Sequence, residues 1–204
     1  MSRQAGNLPH IDKRLVEMAR ALATRPTVFL LDEPAAGLMR GDKEELAKLL
    51  RTIVDIGIAV ILVEHDMSLV MGISDHIVVL DADTLLNQGK PAEIREDPKV
   101  LEAYLGAADF QGRPRNEPWS GEKTAVLSTP QLEVGYGAAP VFQKVHVDVF
   151  PGEMVAVLGA NGSGKSTILR AISGLHRPIS GSILLNNVET GKNRPTKLCR
   201  LGSY

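Results

Sequence analysis

Apolar positions divide the first hundred residues into alternating helix-like and strand-like segments. Leu15, Val16, Ala19 and Leu22 recur at helical spacing and Pro26 ends the pattern, which predicts a helix over 12–24. "TVFLLDE" (27–33) is continuously apolar until its two acids and reads as a buried strand. Asp42 and Glu45 have the spacing of a capping box, predicting a helix over 43–56 with Gly57 at its C-cap. "IAVILVE" (58–64) predicts a second buried strand, a short helix follows from about Asp66, and "HIVVLDA" (76–82) predicts a third strand. Asp97 and Pro98 cap and start a last helix that ends near Gly106. Strands alternating with helices imply a mostly parallel, three-layer α/β arrangement.

The pattern breaks over 107–125, where Gly, Pro and mixed charges read as a linker. Beyond Val126 the period shortens. "LEVGYG" (132–137), "VFQKVHVDVF" (141–150) and "EMVAVLG" (153–159) alternate or run apolar between turns, predicting an antiparallel β portion near residues 126–157. "STILRAISGL" (166–175) reads as a helix and "GSILLNN" (181–187) as a further strand. The tail "ETGKNRPTKLCRLGSY" shows no clear period.

Composition narrows the class. The 204 residues are 44% hydrophobic and 23% charged, ordinary for a globular chain. A net charge of -1 gives no reason to expect a basic nucleic-acid surface. The one cysteine, Cys199, reads as a free thiol. The N-terminus lacks the apolar core of a signal peptide, and the longest aliphatic run, Ile58 to Val63, is too short to cross a bilayer. Any membrane role therefore has to come through a partner.

The chemistry lies in three places. "GANGSGKST" (159–167) fits G-x-x-x-x-G-K-[ST], directly after a strand and at the start of a helix. Gly159, Gly162 and Gly164 allow the backbone to curl so that N–H groups converge on phosphate oxygens, at the positive end of the next helix. Lys165 would reach the β- and γ-phosphates, Ser166 would ligate Mg²⁺, and Thr167 would support the α-phosphate. Asp32 and Glu33 end a buried strand, where acids are costly unless they meet a cation or donors. One would hold the Mg²⁺ shell and the next would polarise an attacking water; the plainer reading is a cap for the residues after Pro34. His65 ends the neighbouring strand and could touch a γ-phosphate, whereas His76 and His146 read as caps or surface residues.

Taken together, these motifs resemble those of ABC-transporter ATPases. "FLLDEPAAGL" and "ILVEHDM" resemble the Walker B, D-loop and switch-histidine segments, and "GANGSGKST" resembles Walker A. Tyr136 resembles the aromatic that stacks on adenine. "ARALATRPTVFLLDEPAAGL" and "PAEIREDPKVLEAYLG" resemble the branched-chain amino acid importers. The resemblance implies an α/β P-loop NTPase sheet flanked by helices, from incomplete domains. Residues 1–106 would be the C-terminal half of one ATPase domain, 107–125 a linker, and 126–204 the N-terminal half of a second. The implied ligands are ATP and Mg²⁺: Tyr136, Gly159, Asn161, Gly162, Ser163, Gly164, Lys165, Ser166 and Thr167 for the nucleotide, Ser166 and Asp32 for the metal, Glu33 and His65 for catalysis. The implied partners are transmembrane permease subunits, a second ATPase domain and a periplasmic or extracellular binding protein, with no nucleic acid. The chain would sit peripherally at the cytoplasmic face of the membrane.

One departure stands out. Where the family carries a signature glycine, the aligned "LPHIDKR" places Ile11, whose β-branched side chain should keep the backbone away from a partner's γ-phosphate. A nucleotide-binding module without turnover, or a soluble tandem ABC protein acting on ribosomes, are the other readings. The ribosomal proteins carry a long helical connection, unlike a linker broken by Pro114 and Pro118. If the two halves fold against each other, the acid-ended strand should lie beside the loop strand in one sheet, and Asp32 should come within hydrogen-bond reach of Ser166. If not, they should occupy different sheets.

Overall fold

The computed structural model describes residues 10–81, 84–102, 124–136, 139–190 and 199–202. The first segment runs α1 (His10–Leu22), β1 (Val28–Asp32), α2 (Arg40–Asp55), β2 (Ala59–Val63), α3 (Met67–Ile73), β3 (His76–Asp81), β4 (Thr84–Gly89), α4 (Pro91–Glu96) and α5 (Pro98–Val100). The second runs β5 (Leu127–Ser128), β6 (Leu132–Tyr136), β7 (Ala139–Val145), β8 (Asp148–Val149), β9 (Met154–Gly159), α6 (Lys165–Ile172), β10 (Leu184–Leu185), β11 (Val188–Glu189) and β12 (Cys199–Gly202).

Strands from both segments share one sheet. Its order is β12-β1-β2-β9-β3-β4, parallel except for the antiparallel edge pair β3–β4. β9 sits between β2 and β3, with Val60 opposite Met154 and His76 opposite Val155. This corrects the expectation that the acid-ended β1 lies directly beside the loop strand. β2 intervenes, and the acids reach the loop from the strand ends rather than along a shared edge. Backbone bonds stitch the segments together: Val60 N–H donates to the Glu153 carbonyl at 2.9 Å and Asp75 N–H to the Met154 carbonyl at 2.8 Å.

Strand alternation separates two cores. Phe29 and Leu31 face one side with Val60, Leu62, Ala156 and Leu158, against helical residues such as Leu46, Leu50 and Val70. Val28 and Leu30 face the other with Ile61, Val155 and Val157, against Ile168, Leu169 and Ile172 of α6 and the antiparallel strands. Both cores draw on both segments. Met154, Val155, Val157 and Leu158 are at most 1% exposed. Burial of such side chains contributes about 1.5–3 kcal/mol each, as an upper estimate. Parting the segments would expose them together.

Several local expectations shift. α2 begins at Arg40, with Met39 as an N-cap that makes no side-chain bond, so Asp42 lies in the first turn rather than at the cap. It still meets the positive helix end there. Ile56 is the C-cap and Gly57, at φ +89°, follows it. Asp66 caps α3 by accepting from Leu69 N–H, and Asp97 accepts from the N–H groups of Lys99 and Val100. β9 belongs to the central sheet, while the antiparallel portion comprises β6–β7 and the order β11-β10-β5-β8. The aperiodic tail supplies β12, parallel to β1. The end of the helix near Gly106 and most of the linker lie outside the described residues.

Candidate functional site

The loop after β9 is shaped by close approach. A Cβ on Gly159 would stand 2.2 Å from Ser163 Oγ and 2.8 Å from the Leu80 carbonyl oxygen, so only glycine fits. Gly162 and Gly164 have φ of +89° and +84°, and Gly164 caps α6. Lys165 is the first residue of that helix and is 6% exposed. Its Nζ donates to the carbonyls of Gly159 at 2.8 Å and Ala160 at 2.9 Å. Burial pulls its pKa down, while the charges of Glu33, Asp32 and Glu64 pull it back up.

The acids of β1 meet this loop. Ser166 Oγ donates to Asp32 Oδ1 at 3.1 Å. Glu33 lines a cavity of about 400 Å³ shared with Asn161, Gly162, Gly164, Lys165, Ser166 and Thr167. Val141 and Arg170 complete the wall. Neither stands out in the sequence: Arg170 follows Lys165 on the same helix, but nothing in the motif singles it out.

Glu33 is held in a left-handed backbone, φ +47°, which costs a non-glycine residue about 1–3 kcal/mol. Its N–H donates to the Val63 carbonyl at 2.9 Å. His65 Nδ1 stands 3.6 Å from Glu33 Oε1, an ion pair only when the imidazole is protonated. Next to His65 is Glu64, fully buried, which accepts from Ala35 N–H at 2.7 Å and His65 N–H at 3.2 Å and whose Oε2 stands 3.9 Å from His65 Nδ1. Desolvation raises its carboxyl pKa, and the N–H groups of Ala35 and His65 oppose the rise.

Tyr136 ends β6, and its side chain lies outside the described residues. The preceding Gly135 carbonyl accepts from His176 Nε2 at 2.6 Å, which ties that strand end to the segment after α6. Ile11 lies in the first turn of α1 and packs against the core.

Among the described residues no group of three or more His, Cys, Asp or Glu side chains could hold a metal. Ser166 and Asp32 nevertheless offer adjacent hard oxygen donors. That fits Mg²⁺, which binds through one or two protein ligands together with phosphate oxygens and water.

Residues 142–201 match the family described as "ABC transporter", and residues 88–109 match the family described as "Branched-chain amino acid ATP-binding cassette transporter". The chain resembles ABC-transporter ATP-binding subunits. Its central sheet and loop have the α/β P-loop NTPase fold. The high-affinity branched-chain amino acid transport ATP-binding protein LivG of Salmonella typhimurium is 47% identical over 108 residues, 52% of this chain and 42% of LivG. BraF of Pseudomonas aeruginosa, described likewise, is 45% identical over the same length. The ribose import ATP-binding protein RbsA of Bacillus licheniformis is 26% identical over 207 residues, covering 99% of this chain and 40% of RbsA. The chain thus spans less than half the length of these ABC relatives.

Proposed function

We propose that the chain is the ATP-binding and ATP-hydrolysing component of an ABC importer for branched-chain amino acids, and that it is the junction of two ATPase halves. Residues 1–106 are the C-terminal half of one domain, 107–125 the linker and 126–204 the N-terminal half of the next. An alignment with RbsA running through nearly the whole chain, yet over only 40% of RbsA, supports a junction inside a longer relative. The LivG and BraF matches support the branched-chain assignment.

The observation that carries the site is the hydrogen bond between Ser166 and Asp32, which brings the acid-ended strand to the phosphate loop. In this reading the N–H groups of residues 161–167 and the Lys165 ammonium receive the phosphates of ATP. Ser166 and Asp32 would hold Mg²⁺, which would supply neutralisation of the phosphate charge. Glu33 orients water, His65 approaches the γ-phosphate and Tyr136 stacks on adenine. The partners are membrane-spanning permease subunits, a second ATPase domain and a substrate-binding protein, with this chain on the cytoplasmic face. No helix among the described residues is long and apolar enough to cross a membrane.

Calorimetric titration with Mg-ATP tests this. Charge-assisted contacts contribute about 1.5–3 kcal/mol each, so Lys165→Ala should bind at least ~10-fold more weakly. Equal titration curves for the two proteins would remove the assignment. A second reading, a nucleotide-binding module without turnover, is favoured by Ile11, which stands at the aligned signature-glycine position with its side chain packed against the core.

A further inference from the structure

We propose that Glu64 is the positioning residue of this site, a buried carboxylate whose two oxygens clamp the loop after Glu33 and the backbone of His65, so that both side chains are held at one place. The inference rests on the proposed roles of Glu33 and His65.

The sequence around Glu64 offers no packing reason for an acid. β2 reads Ala-Val-Ile-Leu-Val and every one of its residues is buried. Glu64 follows directly, remains in the sheet through its N–H bond to the Val157 carbonyl, and is itself 0% exposed. An aliphatic residue would avoid the desolvation that a buried carboxylate suffers. What the carboxylate provides is two acceptors aimed at two different loops. Oε1 receives Ala35 N–H at 2.7 Å and Oε2 receives His65 N–H at 3.2 Å.

Ala35 lies two residues beyond Glu33, whose left-handed backbone needs an external hold. That hold comes from the end of β2: the Val63 carbonyl takes Glu33 N–H, and Glu64 takes Ala35 N–H just past the turn. The second oxygen fixes the start of the segment that carries the imidazole. One side chain therefore sets the relation between Glu33 Oε1 and His65 Nδ1, now 3.6 Å. Glu64 is 0% exposed and is not among the residues that line the cavity Glu33 shares with the loop. Its part is placement.

The test uses the full chain with Glu64→Gln and Glu64→Asp. Glutamine presents one acceptor and one donor, and aspartate falls a methylene short, so each keeps at most one arm of the clamp. Three readouts are compared with wild type: Kd for Mg-ATP, the single-turnover hydrolysis rate at saturating Mg-ATP, and amide exchange by NMR. The expected result for Glu64→Gln is a Kd within about twofold and a single-turnover rate at least tenfold lower. Exchange at Ala35 and His65 should be at least tenfold faster, with Val155 and Val157 unchanged. An unchanged rate in both variants would overturn the proposal. So would exchange that accelerates at Val155 and Val157 as much as at Ala35, because Glu64 would then be a general stabiliser. If wild type binds no Mg-ATP, or binds it without hydrolysis, the nucleotide or turnover reading falls separately. The clamp is then judged on exchange alone: acceleration confined to Ala35 and His65 supports it, and a uniform change overturns it.

Discussion

Ser166 Oγ and Asp32 Oδ1 are joined by a 3.1 Å hydrogen bond although 134 positions separate them in sequence. The bond places a carboxylate from the first segment against the glycine-rich loop of the second. If the pair holds Mg²⁺, Asp32→Asn should weaken binding of Mg-ATP about 10-fold, as for loss of one charge-assisted contact, and leave binding of ATP in chelator nearly unchanged. Paired titrations with and without Mg²⁺ check this; equal losses in both would assign Asp32 a structural part only.

Tyr136→Ala should separate base from phosphate. Stacking involves the adenine ring alone, so affinity for ATP should fall while affinity for inorganic tripolyphosphate stays within about twofold; stacking contacts of this kind contribute about 1–3 kcal/mol. Competition binding with the two ligands gives the answer.

Turnover by this chain should be slow. Glu33 and Lys165 line one cavity and His65 stands 3.6 Å from Glu33, but Ile11 puts a β-branched side chain, packed against the core, where the resemblance implies a glycine open to a partner's phosphate. Single-turnover hydrolysis should be detectable, far below the ~1–10³ s⁻¹ usual for enzymes, and lost in Glu33→Gln. Fast turnover, or a rate that survives Glu33→Gln, would contradict the assigned roles.

The mixed cores predict one cooperative unit. Leu31 from the first segment and Leu158 from the second are each at most 1% exposed and lie in the same cluster. Leu→Ala at either site should cost about 2–5 kcal/mol. Urea denaturation followed by circular dichroism should show a single transition shifted by each variant. Two transitions, each responding to one variant, would mean independent segments.

Glu153 gives a pH dependence. Burial pushes its carboxyl up to about 7, opposed by the Phe150 N–H and reinforced by the charges of Asp75 and Asp148. The folded value lies above the ordinary 4.5, so the native state binds the proton more tightly. This contribution is complete below about pH 4.5 and is lost as pH rises through 7, amounting to roughly 3 kcal/mol at most. Glu153→Gln keeps an oxygen for Phe150 N–H and should flatten the decline in stability between pH 5 and 8. An identical decline in the variant would locate it elsewhere.

The glycine–lysine loop and the acid-ended strand could be read directly, because their chemistry demands particular residues at fixed spacing. The strands β1, β2, β3 and β9 were equally plain, since strands buried on both faces leave long apolar runs. What escaped depends on partners that a local pattern does not contain. β12 has no period of its own and is a strand because β1 offers an open edge. β4 lies at the other edge, half-exposed, and its "TLLNQG" carries little alternation. The place of β2 between the acids and the loop is a matter of strand order, which no single segment encodes. Glu64 was visible as an acid ending an apolar run, but its two N–H partners come from two loops.

The position of β9 also governs assembly in time. β2 and β3 belong to one stretch of chain, yet they are separated in the sheet by a strand made later; Met154 N–H bonds to the Asp75 carboxylate across 79 positions. Such distant pairing must close a long loop before it is rewarded, so it slows folding. Until residue 154 arrives, the first segment carries a one-strand vacancy with apolar walls and unpaired edges on both sides. Any equivalent strand can enter it, including one from a second copy of the chain, and edges of this kind are where strand exchange and aggregation begin. Refolding yield should therefore fall steeply with protein concentration, and the first oligomers to appear should be dimers in which each molecule has lent its β9 to the other.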